Sequence, residues 1–341
     1  MKVKARTATH RPLRLALACL GLLTFGTFAF ADTVTVYSAR NEQLIKPLFD
    51  AYTKETGTQI QVLTDKEGPL LERLKAEGAK SPADVLITVD AGYLWHAGQM
   101  GLLRAIKSPT LNAHIPAHLR DPKGEWYGLS IRARTIIYNK RFVNPAKLST
   151  YEALADPEWK GKLCLRTSKK VYNQSLVATM IATLGEQKTE AVVRGWVANL
   201  ATDVFADDTA LIKAVAAGQC EVGIVNTYYL ARQLDANPNL PVGLFWANQK
   251  DRGVHVNISG AGVTKNAPNA AGGQKLVEWL SGETAQGIYT NDDFEYPANP
   301  RIKPDSIIRH WGPFKMDVIN VSKAGELQGA ATRLMDRAGY R

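Results

Sequence analysis

Three tyrosines beside basic residues are the side chains of this chain with the clearest chemical potential. Tyr228 and Tyr229 are adjacent in the run IVNTYYLAR, just past a predicted strand, and Tyr172 follows two lysines in SKKVYNQSL. A phenol has a pKa of about 10, so it ionises near neutral pH only beside a strongly acidic cation or other positive charge. Phenolate is a hard oxygen donor, and the cation that this cluster most suggests is ferric iron. The residues alone also fit a plainer interpretation, as ordinary strand-end and core aromatics.

The first 31 residues have the pattern of a secretory signal peptide. Basic residues precede an apolar run over residues 15–30, and Ala29-Phe30-Ala31 fits a small-residue cleavage site. The apolar run is shorter than the roughly 20 residues that a membrane-spanning helix needs. We therefore expect a mature chain that begins at Asp32 and is exported to the periplasm. A retained anchor and a lipoprotein modified at Cys19 are the alternatives.

Removal of this segment changes what the charge implies. The full chain has a net charge of +10, and loss of five basic and no acidic residues leaves 37 Lys+Arg against 32 Asp+Glu, a net charge of +5. This excess is mild, and the sequence contains neither a dense Lys/Arg run nor a zinc-finger pattern. The composition therefore predicts no nucleic-acid partner.

Size and cysteine content constrain the architecture further. A mature chain of about 310 residues is expected to divide into two lobes with a cleft between them. Cys164 and Cys220 survive processing, and each precedes one of the tyrosines by eight residues. An even number of cysteines in an oxidising compartment favours a disulfide, although two separately buried thiols are the alternative.

Strands and helices alternate along the chain, which predicts an α/β fold. The runs TVTVYSA, QIQVL and ADVLITVD have the pattern of strands, and a second series of strands and helices begins near Arg134 with TIIYNK. This series includes a run from Asn173 to Leu184 that we predict to be an amphipathic helix. We expect two strands, near Ala133 and Gly260, to cross between the lobes as a hinge. The resulting N-terminal lobe comprises residues 32–132 and 260–310, and the C-terminal lobe comprises residues 133–259 and 311–341.

Several motifs together carry a family resemblance over essentially the whole mature chain. They are VTVYSAR, KSPADVLITVDAG, WYGLSIRARTIIYNK, WKGKLCLRTSKKVYNQSL, GQCEVGIVNTYYLAR, SGAGVTKNAPN and FEYPANP. With them the chain resembles periplasmic ferric-iron-binding proteins, the solute-binding components of bacterial iron ABC importers. The resemblance implies a two-lobed periplasmic-binding-protein fold, a transferrin-like clamp with two hinge strands. It also implies a monomer that delivers its ligand to an inner-membrane ABC permease.

The resemblance assigns Tyr172, Tyr228 and Tyr229 as ligands of Fe(III). Many relatives add a histidine, a His-Tyr pair or a glutamate from the first lobe, but here Asn41 and Glu42 follow the YSAR run. The chain is therefore similar to the subgroup that uses three tyrosines and a small anion such as carbonate or bicarbonate. Whether the first lobe contributes Glu42 or no ligand stays open.

Cations are expected around such a site, because three phenolates already cancel the charge of Fe(III) and an added carbonate leaves negative charge. The guanidinium of an arginine matches a carbonate edge as it matches a carboxylate, which makes Arg132 the first choice for the anion. Other residues predicted to bind the anion are Ser168, Lys169 and Arg40. Residues predicted to line the site behind the ligands are Asn226, Asp90 and Arg134.

Three classes of function fit the sequence to different degrees. The first is a non-enzymatic receptor that captures Fe(III) and passes it to the permease. The second is the same clamp with an organic anion, a polyamine or a thiamine-like solute as its ligand. The third is a secreted hydrolase, but the chain has no G-x-S-x-G motif, and Ser259 in NISGAG has no identifiable His/Asp set.

Overall fold

The structure is a computed structural model that describes residues 32–304 and 306–341, together with residues 1, 2, 4 and 5. The predicted signal peptide therefore lies, apart from those four residues, outside the described part of the chain. Asp32–Arg341 forms one compact unit. In the described part of the chain, no helix is long and apolar enough to cross a membrane.

Strands and helices alternate as the sequence pattern predicts. The strands of the described residues are β1 (Thr33–Ser38), β2 (Gln59–Thr64), β3 (Val85–Thr88), β4 (Tyr127–Asn139), β5 (Leu163–Cys164), β6 (Val222–Asn226), β7 (Val242–Phe245), β8 (Val256–Val263) and β9 (Tyr296–Pro297). The helices are α1 (Glu42–Thr56), α2 (Glu67–Glu77), α3 (Ala91–Gln99), α4 (Pro109–His114), α5 (Val171–Leu184), α6 (Glu186–Ala198), α7 (Asp208–Ala217), α8 (Thr227–Ala236), α9 (Ala270–Leu280), α10 (Glu283–Asn291), α11 (Ser306–Arg309), α12 (Lys323–Glu326) and α13 (Gln328–Arg337).

One mixed sheet connects these strands in the order β2-β1-β3-β8-β4-β6-β5, with β7 and β9 also paired to β4. The strands β1, β2 and β3 are parallel, as are β5 and β6, while β8 and β4 run antiparallel to their neighbours. Parallel strands require helical crossovers, which cover both faces of the sheet and bury its side chains.

The long strand β4 changes partners halfway along its length. Its first half pairs with β8 and β9, up to the pair Ala133 and Val256, and its second half pairs with β6 and β7, beginning at Arg134 and Asn226. Both strands predicted to cross between the lobes therefore exist, and they pair with each other. The fold is the predicted two-lobed α/β clamp, and the lobe boundaries stay a prediction.

Local signals explain where the first helix begins and ends. The side chain of Asn41 accepts a hydrogen bond from the backbone N–H of Gln43 at 3.0 Å, which caps the N-terminus of α1. Gly57 ends the helix with a φ of 76°, a conformation that glycine adopts without strain. Between these caps, Ile45 and Leu48 face the core at helical spacing.

The helix that carries Tyr172 differs from its prediction in one respect. The run from Asn173 to Leu184 was predicted to be amphipathic, but α5 begins at Val171 and is buried on nearly all sides. The reason is that α12 and α13, at the C-terminal end of the chain, cover its outer face. A helix enclosed in this way has no solvent side to require polar residues.

Cys164 and Cys220 form the predicted disulfide. Cys164 is the last residue of β5, and Cys220 lies two residues before β6, so the bond joins the two parallel strands of the second half of the sheet. The segments that lead to Tyr172 and to Tyr228 are thereby linked covalently.

Candidate metal centre

The structure brings the three predicted tyrosines together. The hydroxyl groups of Tyr228 and Tyr172 are 3.5 Å apart, and the ring centroids of Tyr228 and Tyr229 are 4.2 Å apart. Tyr172 and Tyr228 are each 6% exposed, and Tyr229 is half-buried. Two oxygens separated by 3.5 Å can both bind one small cation, since metal–oxygen distances are about 2 Å.

Each tyrosine lies in the first turn of a helix. Tyr172 is the second residue of α5, and Tyr228 and Tyr229 are the second and third residues of α8, which follows β6 without a loop. The N-terminus of a helix carries partial positive charge and unpaired backbone N–H groups, which suit a site that binds anionic groups. The junction between β6 and α8 therefore places Tyr228 and Tyr229 at the site, and α5 supplies Tyr172.

The phenol of Tyr228 resists ionisation while the site holds no cation. Burial raises the pKa of Tyr228 well above its ordinary value, and the neighbouring phenols of Tyr172 and Tyr229 raise it further, whereas Arg132 lowers it. A phenolate here therefore needs a strong Lewis acid to form. Among the described residues, no group of three His, Cys, Asp or Glu side chains could hold a metal ion.

Arg132 lies against the tyrosines, as its predicted role requires. Its guanidinium carbon is 5.6 Å from the ring centroid of Tyr172, and the side chain is almost fully buried. One terminal nitrogen donates to the backbone carbonyl of Val89. The Nε atom is buried without a hydrogen-bond partner, and Arg132 forms no ion pair with any described residue. Such a charge is available to an anion.

Arg134 has a different environment, because a buried carboxylate already balances its charge. Its guanidinium pairs with Asp208 at 3.0 Å and donates to the side-chain oxygens of Asn173, at 2.8 Å, and Asn226, at 3.1 Å. A fourth hydrogen bond goes to the carbonyl of Ile224 at 3.0 Å. Arg134 and Asn226 thus join the first turn of α5 to the end of β6, directly behind the tyrosines.

Asp90 connects three elements near the site. It caps α3 by accepting from the N–H of Gly92 at 2.7 Å, and its other oxygen accepts from Ser175 of α5 at 2.7 Å and from Asn257 of β8 at 2.5 Å. Burial raises the pKa of this carboxyl, while these hydrogen bonds and the charge of Arg132 lower it. Asp90 therefore holds α5 against the other half of the sheet.

The Ser168–Lys170 turn is placed in part as predicted. The backbone N–H of Ser168 donates to the carbonyl of Arg341, the last residue of the chain, at 2.9 Å. The side chain of Lys169 is exposed, whereas the Nζ atom of Lys170 lies 4.6 Å from the ring centroid of Tyr172. The structure thus brings Lys170, rather than Lys169, to the tyrosines.

Arg40 and Glu42 are not brought to the tyrosines by any contact in the structure. Arg40 is buried in ion pairs with Asp293, at 2.5 Å, and Glu295, at 3.2 Å, and donates to Ser259 at 2.9 Å. Two carboxylates therefore balance its charge before any anion binds. Glu42 is exposed at the first residue of α1, where an acidic side chain favours the helix dipole.

Three residues beside the site were not singled out from the sequence. The guanidinium of Arg166 lies 5.6 Å from the ring centroid of Tyr172, and that of Arg232 lies 5.1 Å from the ring centroid of Tyr228. The spacing of four between Tyr228 and Arg232 on a helix is a signal that identifies such a contact. Arg166 follows β5, whose parallel partner β6 ends at Asn226, and parallel strands end at the same edge of a sheet.

Glu67, at the start of α2, is the third residue beside the site that was not singled out from the sequence. One of its carboxylate oxygens is buried without a hydrogen-bond partner among the described residues. Burial raises the pKa of this carboxyl, and its charged neighbours are Lys170, Asp90 and Arg132. Nothing in the local sequence distinguishes it from an ordinary acidic residue at a helix start.

A buried histidine beside the crossing strands makes stability depend on pH. His255 lies 3.0 Å from the hydroxyl of Thr179, and burial, followed by the charges of Arg134 and Arg252, lowers its pKa to about 3. As pH falls below about 6.5, the unfolded chain takes up a proton at this position and the folded chain does not. The contribution of the neutral His255 side chain to the free energy of unfolding is therefore fully present above about pH 6.5 and is lost progressively toward pH 3.

We expect His255→Gln to remove this dependence. Between pH 6.5 and pH 5 the wild type should lose about 2 kcal/mol of unfolding free energy through this group alone, and the variant should lose correspondingly less. Urea denaturation at both pH values measures the difference. His310→Gln, at an exposed position, serves as the control, and equal pH slopes for the wild type and His255→Gln would contradict the assignment.

A two-lobed clamp with a phenol-lined site defines the class of this protein. The chain belongs to the bacterial extracellular solute-binding proteins, a family that matches residues 80–310. Over 314 residues, covering 90% of this chain and 87% of the relative, it is 41% identical to iron uptake protein A1 of Synechocystis sp..

Solved structures extend this similarity. A Trichodesmium protein, IdiA (FutA), in complex with iron and citrate superposes with a TM-score of 0.87 at 46% identity, covering 91% of this chain and all of the other. A Bordetella ferric binding protein gives a TM-score of 0.84 at 39% identity, covering 91% and 99% of the two chains.

Proposed function

We propose that this protein is a receptor that binds ferric iron through tyrosine phenolates and delivers it to an ABC permease of the inner membrane. It acts as a binding protein and not as an enzyme. The observation that carries the proposal is the cluster of three phenols beside buried cations, in which the hydroxyl groups of Tyr172 and Tyr228 are 3.5 Å apart. The iron uptake and ferric-binding proteins among its relatives support it.

The ligands in this proposal are Tyr172, Tyr228 and Tyr229. Because Fe(III) is a strong Lewis acid, it displaces the three phenol protons, and the three phenolates cancel its charge. Burial raises the pKa of the Tyr228 phenol, so weaker Lewis acids than Fe(III) ionise this ligand less readily. The alternative ligands, an organic anion, a polyamine or a thiamine-like solute, have no comparable reason to require three clustered phenols.

A synergistic anion completes the proposed coordination. Arg132 has a buried nitrogen without a hydrogen-bond partner and no ion pair among the described residues, so it is the residue that we assign to the anion. The guanidinium of Arg132 can donate two parallel hydrogen bonds to carbonate or bicarbonate. It can bind a carboxylate of citrate, which accompanies iron in the Trichodesmium structure, in the same way. The Nζ atom of Lys170 lies 4.6 Å from the ring centroid of Tyr172 and adds positive charge beside this ligand.

Loading and release follow from where the ligands lie. All three tyrosines belong to the proposed C-terminal lobe, so iron and its anion bind there first. Closure then brings the proposed N-terminal lobe over them, and the hydrogen bond from Ser175 to Asp90 joins residues of the two proposed lobes. Protonation, loss of the anion or reduction to Fe(II), a weaker acid for phenolate, releases the metal. We place the mature monomer in the periplasm.

Titration of the purified apo-protein with ferric citrate, with and without bicarbonate, tests this function. Phenolate bound to Fe(III) produces a visible charge-transfer band, and we expect this band to grow to one iron per chain. The position of the band with each anion identifies the anion that enters the site. A protein that remains colourless and retains no iron at neutral pH would overturn the proposed function.

A further inference from the structure

Arg166 is a buried cation that is held in place by its own backbone. Its carbonyl oxygen accepts hydrogen bonds from the side chain of Asn173 at 2.8 Å and from the hydroxyl of Tyr340 at 2.6 Å. The residue is 7% exposed and lies two positions after the disulfide-bonded Cys164. The guanidinium itself is fixed by its Nε atom, which donates to the backbone carbonyl of Ala206 at 3.1 Å.

Its guanidinium faces two of the three tyrosines, which belong to different helices. The central carbon lies 5.6 Å from the ring centroid of Tyr172 on α5 and 5.9 Å from that of Tyr229 on α8. Among the cation–ring contacts of the described residues, Lys170, Arg132 and Arg232 each face one of the three rings. Arg166 is therefore the cation placed to order two ligands at once.

The charge of Arg166 is only partly balanced. Its Nη1 atom lies 3.5 Å from an oxygen of Asp208, and neither atom has a hydrogen-bond partner among the described residues. The other oxygen of Asp208 accepts from Arg134 at 3.0 Å and from the backbone N–H of Asn226 at 2.9 Å. Arg134 and Arg166 thus share the carboxylate of Asp208, and the ion pair with Arg134 is the shorter of the two.

We infer that Arg166 is a positioning residue of the iron site, which aligns Tyr172 with Tyr229 and withdraws electron density from their phenolates. The inference rests on the proposed function. A positive charge close to a phenolate lowers the energy of its electrons, and it acts more strongly on the rings that it faces than on the metal beyond them. The charge-transfer band of the loaded protein should then lie at higher energy than it would without Arg166.

Arg166→Met removes this charge and keeps an apolar side chain of similar length. We expect its ferric form to absorb at longer wavelength than the wild type and to hold iron about tenfold less tightly against a chelator, since a charge-assisted contact is lost. Arg166→Lys should return the band toward the wild-type position. Arg194→Met, at an exposed position paired with Glu190, should leave both quantities unchanged.

The outcomes separate the inference from the proposed function. Wild type without a charge-transfer band would overturn the function itself. A wild-type band together with an unchanged band position in folded Arg166→Met would overturn the role of Arg166 alone, as would a lysine variant whose band matches that of the methionine variant. Circular dichroism establishes folding, and if Arg166→Met does not fold, Arg166→Gln gives the same test with a polar, uncharged side chain.

Discussion

Tyr228→Phe is expected to abolish the visible iron band, or to shift it strongly, and to reduce iron retention more than about a hundredfold, since losing a residue that merely supports a metal ligand already costs about 10–100-fold. The hydroxyl of Tyr228 lies 3.5 Å from that of Tyr172, so one cation can bind both oxygens. The substitution removes one of these two ligands. The measurement is ferric titration of the variant, followed by competition with citrate.

The same substitution should cost little stability, which separates loss of a ligand from loss of the fold. A hydroxyl contact of 3.5 Å is a weak hydrogen bond, and the phenyl ring keeps its packing against Tyr229. The matched control is Tyr127→Phe, which removes another buried hydroxyl, one that donates to the carbonyl of Ile106 at 3.1 Å. Normal iron binding by Tyr228→Phe would remove this residue from the ligands.

Arg134→Met is expected to lower the free energy of unfolding by about 3–5 kcal/mol, the typical cost of leaving one member of a buried ion pair without its partner. Asp208 would retain the N–H of Asn226 and the distant guanidinium of Arg166, but it would lose its 3.0 Å ion pair. Iron binding should weaken as well, because Asn173 and Asn226 lose the group that joins α5 to β6.

Urea denaturation measures the first effect and ferric titration the second. The double variant Arg134→Met/Asp208→Asn removes both charges, and we expect it to recover part of the lost stability, because the uncompensated carboxylate is gone. Arg337→Met, whose ion pairs with Glu186 and Glu190 lie on the surface, should change stability little. If Arg134→Met proves as stable as Arg337→Met, the central role of this ion pair is wrong.

Much of the fold could be predicted because hydrophobic periodicity is a local property. The patterns of β1, β2 and β3 and the end of α1 at Gly57 appear directly in the sequence. Strand β4 was recognised only in its second half, TIIYNK, although the whole strand is buried. The part before this run contains Arg132 and Arg134, charged residues that a buried strand rarely contains unless they are paired. The burial of α5 was missed because the helices that cover it lie about 150 residues later in the chain.

The candidate site, like the fold, was predictable from the sequence only in part. The three tyrosines follow from their residue types and motifs, but Glu67 and Arg166 owe their places to packing and to the pairing of β5 with β6. Lys169 and Lys170 are equivalent in the sequence, yet only the side chain of Lys170 lies over Tyr172. Lys170 is the N-cap of α5 and has an extended backbone, in which successive side chains point in opposite directions.

From the sequence by itself follow the α/β alternation, the pairing expected of two cysteines and a cluster of phenols suited to a trivalent cation, because these depend on residue type and on neighbours along the chain. Only the tertiary structure decided which arginines keep charge available for a ligand. Arg40 and Arg134 lie against carboxylates that are 253 and 74 residues away, whereas Arg132 has no ion pair among the described residues. Electrostatic balance depends on distance in space and on burial, and neither quantity is local in the sequence.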